Sequence, residues 1–187
     1  ARPEHIRKRL DVIRNKWIEQ VEINFEKSNI VLIRGASGQG KTSLAYRYLL
    51  ERYAEEQIIC IQKLTNENSI WVILNFLKRE LEDREYVLYY DVQPGDTFWG
   101  IILNAISMHL PDARLLVTVR EDYYNSSNIS RGSVSYEEIS LELYEDEARE
   151  IYSQYEQNTF ISFDDLWKTF GNGGPLLEFI YLINHSM

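Results

Sequence analysis

Residues 35–42, GASGQGKT, constrain this chain more than any other stretch, because they follow directly on the apolar run NIVLIR at 29–34. Gly35, Gly40, Lys41 and Thr42 fit the spacing G-x-x-x-x-G-K-T. Glycines at 35, 38 and 40 let the backbone turn so that successive N–H groups point inward, a nest for phosphate oxygens. A helix starting near Lys41 adds the positive end of its dipole. Lys41 is then placed to reach the outer phosphates of a nucleotide, and Thr42 to give its hydroxyl to Mg²⁺. Such a loop joins a buried strand to a helix, so the motif predicts a strand–loop–helix unit at the heart of the fold.

The flanking pattern agrees. An apolar run without alternation suits a strand covered on both faces, as in a parallel sheet. Further strands are expected at 57–62, 86–92, 113–120 and 136–143, with helices at 41–55, 68–83 and 96–109 between them. Strands alternating with helices at this rhythm mean βαβ units. Ile6, Leu10, Ile13 and Trp17 recur at helical spacing and predict one amphipathic helix over 4–20. The Ser/Asn-rich segment 121–133 reads as a loop. After residue 144 the rhythm changes to helices at 145–157, 163–170 and 175–186. The expected architecture is therefore α/β: a five-stranded, mostly parallel sheet flanked by helices over 1–143, then a small helical subdomain over 144–187.

Composition narrows the function. With 20 basic and 29 acidic residues the net charge is −9, a poor balance for neutralising nucleic-acid phosphates. The basic stretch 6–9 reads as a solvated helix face. The single cysteine, Cys60, rules out an internal disulfide, and its place in the apolar run IICI predicts a buried small hydrophobe. No apolar run approaches the length needed to cross a membrane. A cytoplasmic fragment of a longer protein is the expected setting.

Two further strand ends supply chemistry. Asp91 closes the third strand, where a carboxylate can hold Mg²⁺ beside the loop. It stands alone, between Tyr90 and Val92, so hydrolysis is expected to be slow or to take its base from elsewhere, such as Asp96. Thr118 and Arg120 close the fourth strand at the same edge, and Arg120 is a candidate reader of the third phosphate.

In these residues the chain resembles the STAND-class ATPases, the signal-transducing branch of the extended AAA+ lineage that includes NACHT and NB-ARC proteins. RPEHIRKRLDVI looks like their opening arginine-containing box, GASGQGKTSLA like their Walker A and VLYYDV like their Walker B. ARLLVTVRED is similar to their sensor strand. ISLELYEDEAREIY looks like the passage into the helical subdomain, and GNGGPLLEFIYL like its Gly-x-Pro motif, here Gly173, Gly174 and Pro175. Walker A is the most specific match; the others persuade by their order. The single acid at Walker B departs from the pattern.

The resemblance implies an ATP- and ADP-binding switch with Mg²⁺, closed with ADP and assembling into a homo-oligomer with ATP, whose effector and sensor domains flank this segment. It implies Pro175 beside the adenine and a role in immune or antiviral defence. The candidate nucleotide-binding residues are then Gly35, Ala36, Ser37, Gly38, Gln39, Gly40, Lys41, Thr42, Ser43 and Pro175. Thr42 and Asp91 are the metal candidates, and Lys41, Asp91 and Arg120 the catalytic ones. Two alternatives compete. An AAA+ or origin-recognition-like ATPase acting on DNA would call for a basic surface. A small-molecule kinase would call for a lid rich in arginine, whereas 121–135 carries only Arg131.

Overall fold

In the computed structural model, residues 2–64, 66–81, 84–126, 134–155 and 159–185 are described. The apolar runs form β1 (Ile30–Gly35), β2 (Ile58–Ile61), β3 (Val87–Asp91), β4 (Arg114–Arg120) and β5 (Glu137–Ser140). They make one sheet in the order β2-β3-β4-β1-β5, and every neighbouring pair is parallel. Parallel neighbours need crossover connections. Those are α3 (Lys41–Arg52) from β1 to β2, α4 (Asn68–Leu81) from β2 to β3, and α5 (Trp99–His109) from β3 to β4. Two helices, α1 (Pro3–Arg7) and α2 (Asn15–Phe25), precede the sheet, and α6 (Glu121–Ser126) follows β4. After β5 come α7 (Glu145–Ser153), α8 (Phe163–Thr169) and α9 (Leu176–His185).

Successive strand residues face opposite sides of the sheet, and each side builds its own core. Leu32, Leu88, Tyr90 and Val117 pack under α4 and α5 with Leu74, Leu77 and Leu103. Val31, Ile33, Tyr89 and Leu116 pack under α2 and α3 with Val21, Leu44 and Tyr48. A third core joins Leu143 and α7 to α8 and α9 through Ile151, Phe163, Trp167, Phe170 and Phe179. Trp167 meets Phe163 in a stack and Phe179 edge-on. Such ring pairs stabilise by about 0.5–1.5 kcal/mol beyond their burial.

Several expectations are corrected. The helix predicted over 4–20 is two helices. Between them Arg9 has φ of 54°, and Leu10 and Ile13 are 71% and 43% exposed. Side-chain chemistry holds the link in this course: Asp11 pairs with Arg47 of α3, and Arg14 is buried in a polar pocket. Cys60 is exposed, because β2 is an edge strand. The first residues of the expected loop 121–133 are helical. Their acidic first turn suits a helix N-terminus, and Arg34 binds Glu121. Residues 127–133, with Arg131, lie outside the described residues, as do 82–83, 156–158 and 186 at the ends of expected helices.

Candidate nucleotide site

β1 delivers the chain to Gly35, and the loop turns over the carboxyl edge of the sheet before α3 begins at Lys41. Glycine is required twice for different reasons. A Cβ at Gly35 would sit 2.6 Å from the carbonyl oxygen of Leu141, which no side chain tolerates. Gly38 has φ of +83°, and a Cβ there would lie 3.1 Å from Pro175 Cβ.

Lys41 Nζ donates to the carbonyls of Gly35 and Ala36 at 2.9 and 2.8 Å, so the ammonium closes the loop from within. Burial lowers its pKa, Asp91's charge opposes that, and Arg120's charge adds to the lowering. Thr42, in the first turn of α3, donates to Asp91 Oδ2 at 3.4 Å. Strand order decides what flanks that carboxylate. Because β4 lies between β1 and β3, Thr118 stands beside both Ile33 and Asp91. Thr118 Oγ1 donates to Asp91 Oδ1 at 2.6 Å and lies 3.1 Å from the Tyr89 hydroxyl.

These groups surround a cavity of about 370 Å³ lined on the loop side by Ser37, Gly38, Gly40, Lys41 and Thr42. On the strand side it is bounded by Asp91, Val92, Gln93, Val119 and Arg120, and at its mouth by Leu177. Arg120 is held by Asp122 through two hydrogen bonds, of 3.1 and 2.9 Å, and lies over the Tyr123 ring. Asp96 is elsewhere. It is buried, it accepts from the Tyr90 hydroxyl and the Phe98 N–H, and it does not line the cavity. Burial pushes the Tyr90 hydroxyl pKa up and the Asp96 carboxylate reinforces this, so Tyr90 stays a donor.

Gly35, Ala36, Gln39, Ser43 and Pro175 do not line the cavity. Gln39 is buried between the loop and the segment before α9. Its Nε2 donates to Gly174 O at 3.0 Å, while Oε1 has no partner among the described residues. Its carbonyl accepts from Arg14 Nη1 at 2.8 Å. Arg14 also donates to Glu142 O and to both carboxylate oxygens of Glu147. Pro175 abuts Gly38, and the N–H of Leu177 donates to Gly38 O at 3.0 Å.

Sequence reasoning missed Arg14, Gln93 and Leu177. Only Gln93 left a signal, its even spacing from Asp91 along a strand. A larger cavity, about 880 Å³, lies between Tyr53, Lys78, Tyr86, His109 and Arg114 at the opposite edge of the sheet. It has neither the loop nor a strand-end carboxylate, so size does not mark the candidate site.

Among the described residues no group of three or more His, Cys, Asp or Glu side chains could hold a metal. The hydroxyl of Thr42 and the carboxylate of Asp91 are hard oxygen donors of the kind Mg²⁺ takes alongside phosphates and waters, so the pair fits that ion. No helix among the described residues is long and apolar enough to cross a membrane.

No protein-family model matches the chain, and no curated protein matches it in sequence. Solved structures do match in fold. A Walker-type ATPase of Pyrococcus abyssi superposes with a TM-score of 0.56 at 15% identity, over 91% of this chain and 65% of that one. A RuvB variant of Thermotoga maritima superposes at 0.50 with 16% identity, over 91% of this chain and 68% of that one. The chain thus spans about two thirds of the length of each. The wholly parallel sheet and its flanking helices are those of a P-loop NTPase.

Proposed function

We propose that this chain binds ATP and ADP with Mg²⁺ at the 35–42 loop and acts as a slowly hydrolysing signalling switch of the STAND type. The observation that carries the reading is the seam between the loop and the start of α9. Gly38 O accepts from the Leu177 N–H, and Gln39 donates to Gly174 O. A ligand filling the loop meets a surface that residues 144–187 also contact. Its affinity then depends on whether they stay seated, and by linkage its identity biases that seating.

In this reading residues 1–143 hold the phosphates and 144–187 form the lid. Ala36, Gly38 and Gly40 supply backbone to the phosphates, Lys41 binds their charge, and Ser43 with Pro175 borders the nucleoside. Thr42 and Asp91 would hold Mg²⁺, which neutralises charge on the outer phosphates when bound. Arg120 reads the third phosphate once released from Asp122. Opened copies assemble as a homo-oligomer in the cytoplasm, with effector and sensor domains beyond this segment, and the resemblance suggests immune or antiviral defence.

Calorimetric titration of Lys41→Ala tests the site. Each lost charge-assisted contact costs about 1.5–3 kcal/mol, so affinity for MgATP falls at least about tenfold; unchanged affinity sinks the assignment. Hydrogen exchange at 176–185 tests the switch, which requires different protection in the apo, ADP and ATP states. Duplex DNA added to the hydrolysis assay separates the alternative, an AAA+ ATPase acting on DNA, which predicts stimulation.

A further inference from the structure

We propose that Gln93 orients the water that attacks the γ-phosphate; this rests on the ATPase reading above. Val92 continues β3, with its N–H donating to Thr118 O at 2.9 Å, and its side chain is buried in the core under α4 and α5. Asp91 and Gln93 flank it at the end of β3, and both line the cavity. Val92, which lines the cavity between them, is apolar and cannot bind a water. Gln93 is the next polar side chain after Asp91 that lines the site.

The other candidates are engaged. Asp91, among the described residues the only carboxylate lining the cavity, accepts from Thr118 and Thr42. Asp96 is held by Tyr90 and Phe98. Gln93 Nε2 donates to Asp91 O at 3.2 Å, which leaves Oε1 as a neutral acceptor. Glutamine performs this water-positioning task in other phosphate-loop hydrolases.

The step balances without a protein base. The water oxygen bonds to the γ-phosphorus while the bond to the β–γ bridging oxygen breaks, and that oxygen leaves on ADP with the electron pair. The water's proton passes to a γ-phosphoryl oxygen. Gln93 holds the water by accepting a hydrogen bond from it and ends the step unchanged, while the water's second hydrogen stays on the oxygen now bonded to phosphorus. An amide cannot take a proton, so turnover is slow and its rate shows no carboxylate titration.

Gln93→Ala and Gln93→Glu in the full chain test this. The alanine variant should keep ADP and ATP affinity within about twofold. It should lose at least about tenfold in single-turnover hydrolysis, and a similar factor in affinity for ADP with Mg²⁺ and aluminium fluoride, a mimic of the transferring phosphoryl group. The glutamate variant should acquire a pH dependence near the ordinary carboxylate range of about 4–5. If Gln93→Ala keeps both its turnover and its fluoroaluminate affinity, the proposal is overturned. It is overturned too if the unmodified chain binds ATP but neither hydrolyses it nor binds the mimic, and nucleotide binding then stands alone. Failure to bind ATP at all removes the nucleotide reading itself.

Discussion

Arg14 grips Glu147 across 133 residues of sequence, its Nε and Nη2 donating to the two carboxylate oxygens at 2.5 and 2.6 Å. The same guanidinium binds the carbonyl of Gln39 in the loop and that of Glu142 after β5, and Trp17 Nε1 adds a bond to Glu147. One side chain therefore ties the amino-terminal segment, the phosphate loop, the end of the sheet and α7 together.

Both groups are largely withdrawn from water, with side chains 2% and 12% exposed. Breaking a buried pair by removing one partner leaves the other charge uncompensated, at a cost of about 3–5 kcal/mol. Arg14→Ala should destabilise by that amount in urea unfolding and also weaken nucleotide binding, because Gln39 loses its anchor. Glu147→Gln should cost less. A loss under about 1 kcal/mol for Arg14→Ala would mean the pair behaves as a surface ion pair.

Thr118→Val should separate stability from metal binding. The hydroxyl is fully buried and serves Asp91 and Tyr89 at once, so its loss should cost about 1–3 kcal/mol. Asp91 would also lose the partner that aims it at Thr42. The gain in ATP affinity on adding Mg²⁺ should shrink relative to the unmodified chain. An unaltered gain would show that Thr118 is structural only.

Gly38→Ala places a side chain in the left-handed region, at about 1–2 kcal/mol, and drives its Cβ against Pro175. The seam should loosen, seen as faster amide exchange over 176–185 with β1 and β4 unaffected. Exchange unchanged across α9 would show that the loop does not hold α9 in place.

Lys41 predicts a pH effect with a definite sign. Burial brings its pKa below the ordinary 10.5, against the opposing charge of Asp91. Between the folded pKa and 10.5 the unfolded chain binds more protons, so stability without nucleotide rises with pH through that window. Bound phosphates favour the ammonium, so nucleotide binding takes up a proton there and affinity falls as pH rises. Calorimetry in two buffers of different ionisation enthalpy reads the uptake, and Lys41→Met should abolish it. Uptake that persists in that variant assigns the proton elsewhere.

The phosphate loop, the strand–helix rhythm and the helical tail were legible because each is a local pattern. Glycine, lysine and threonine spacing fixes a turn over a few residues, and continuous apolar runs at Ile30–Ile33 and Leu115–Val117 report burial on both sheet faces wherever the strands come to rest. Strand order was not legible, because β4 can enter between β1 and β3 without altering any local period, yet that placement brings Thr118 against Asp91. Nor was the break between α1 and α2. Leu10 and Ile13 obey helical spacing, but Asp11 and Arg14 find buried partners on α3 and α7, and a long-range ion pair outweighs a few tenths of a kcal/mol of helix preference. Cys60 sits in a run as apolar as β1 and is still exposed, because only the assembled sheet decides which strand lies at its edge. The residues of the loop were determined by the sequence alone. What surrounds them, from Arg14 beneath to Gln93 and Leu177 at the rim, was decided by contacts between segments far apart in the chain, whose energies appear only once the sheet has formed.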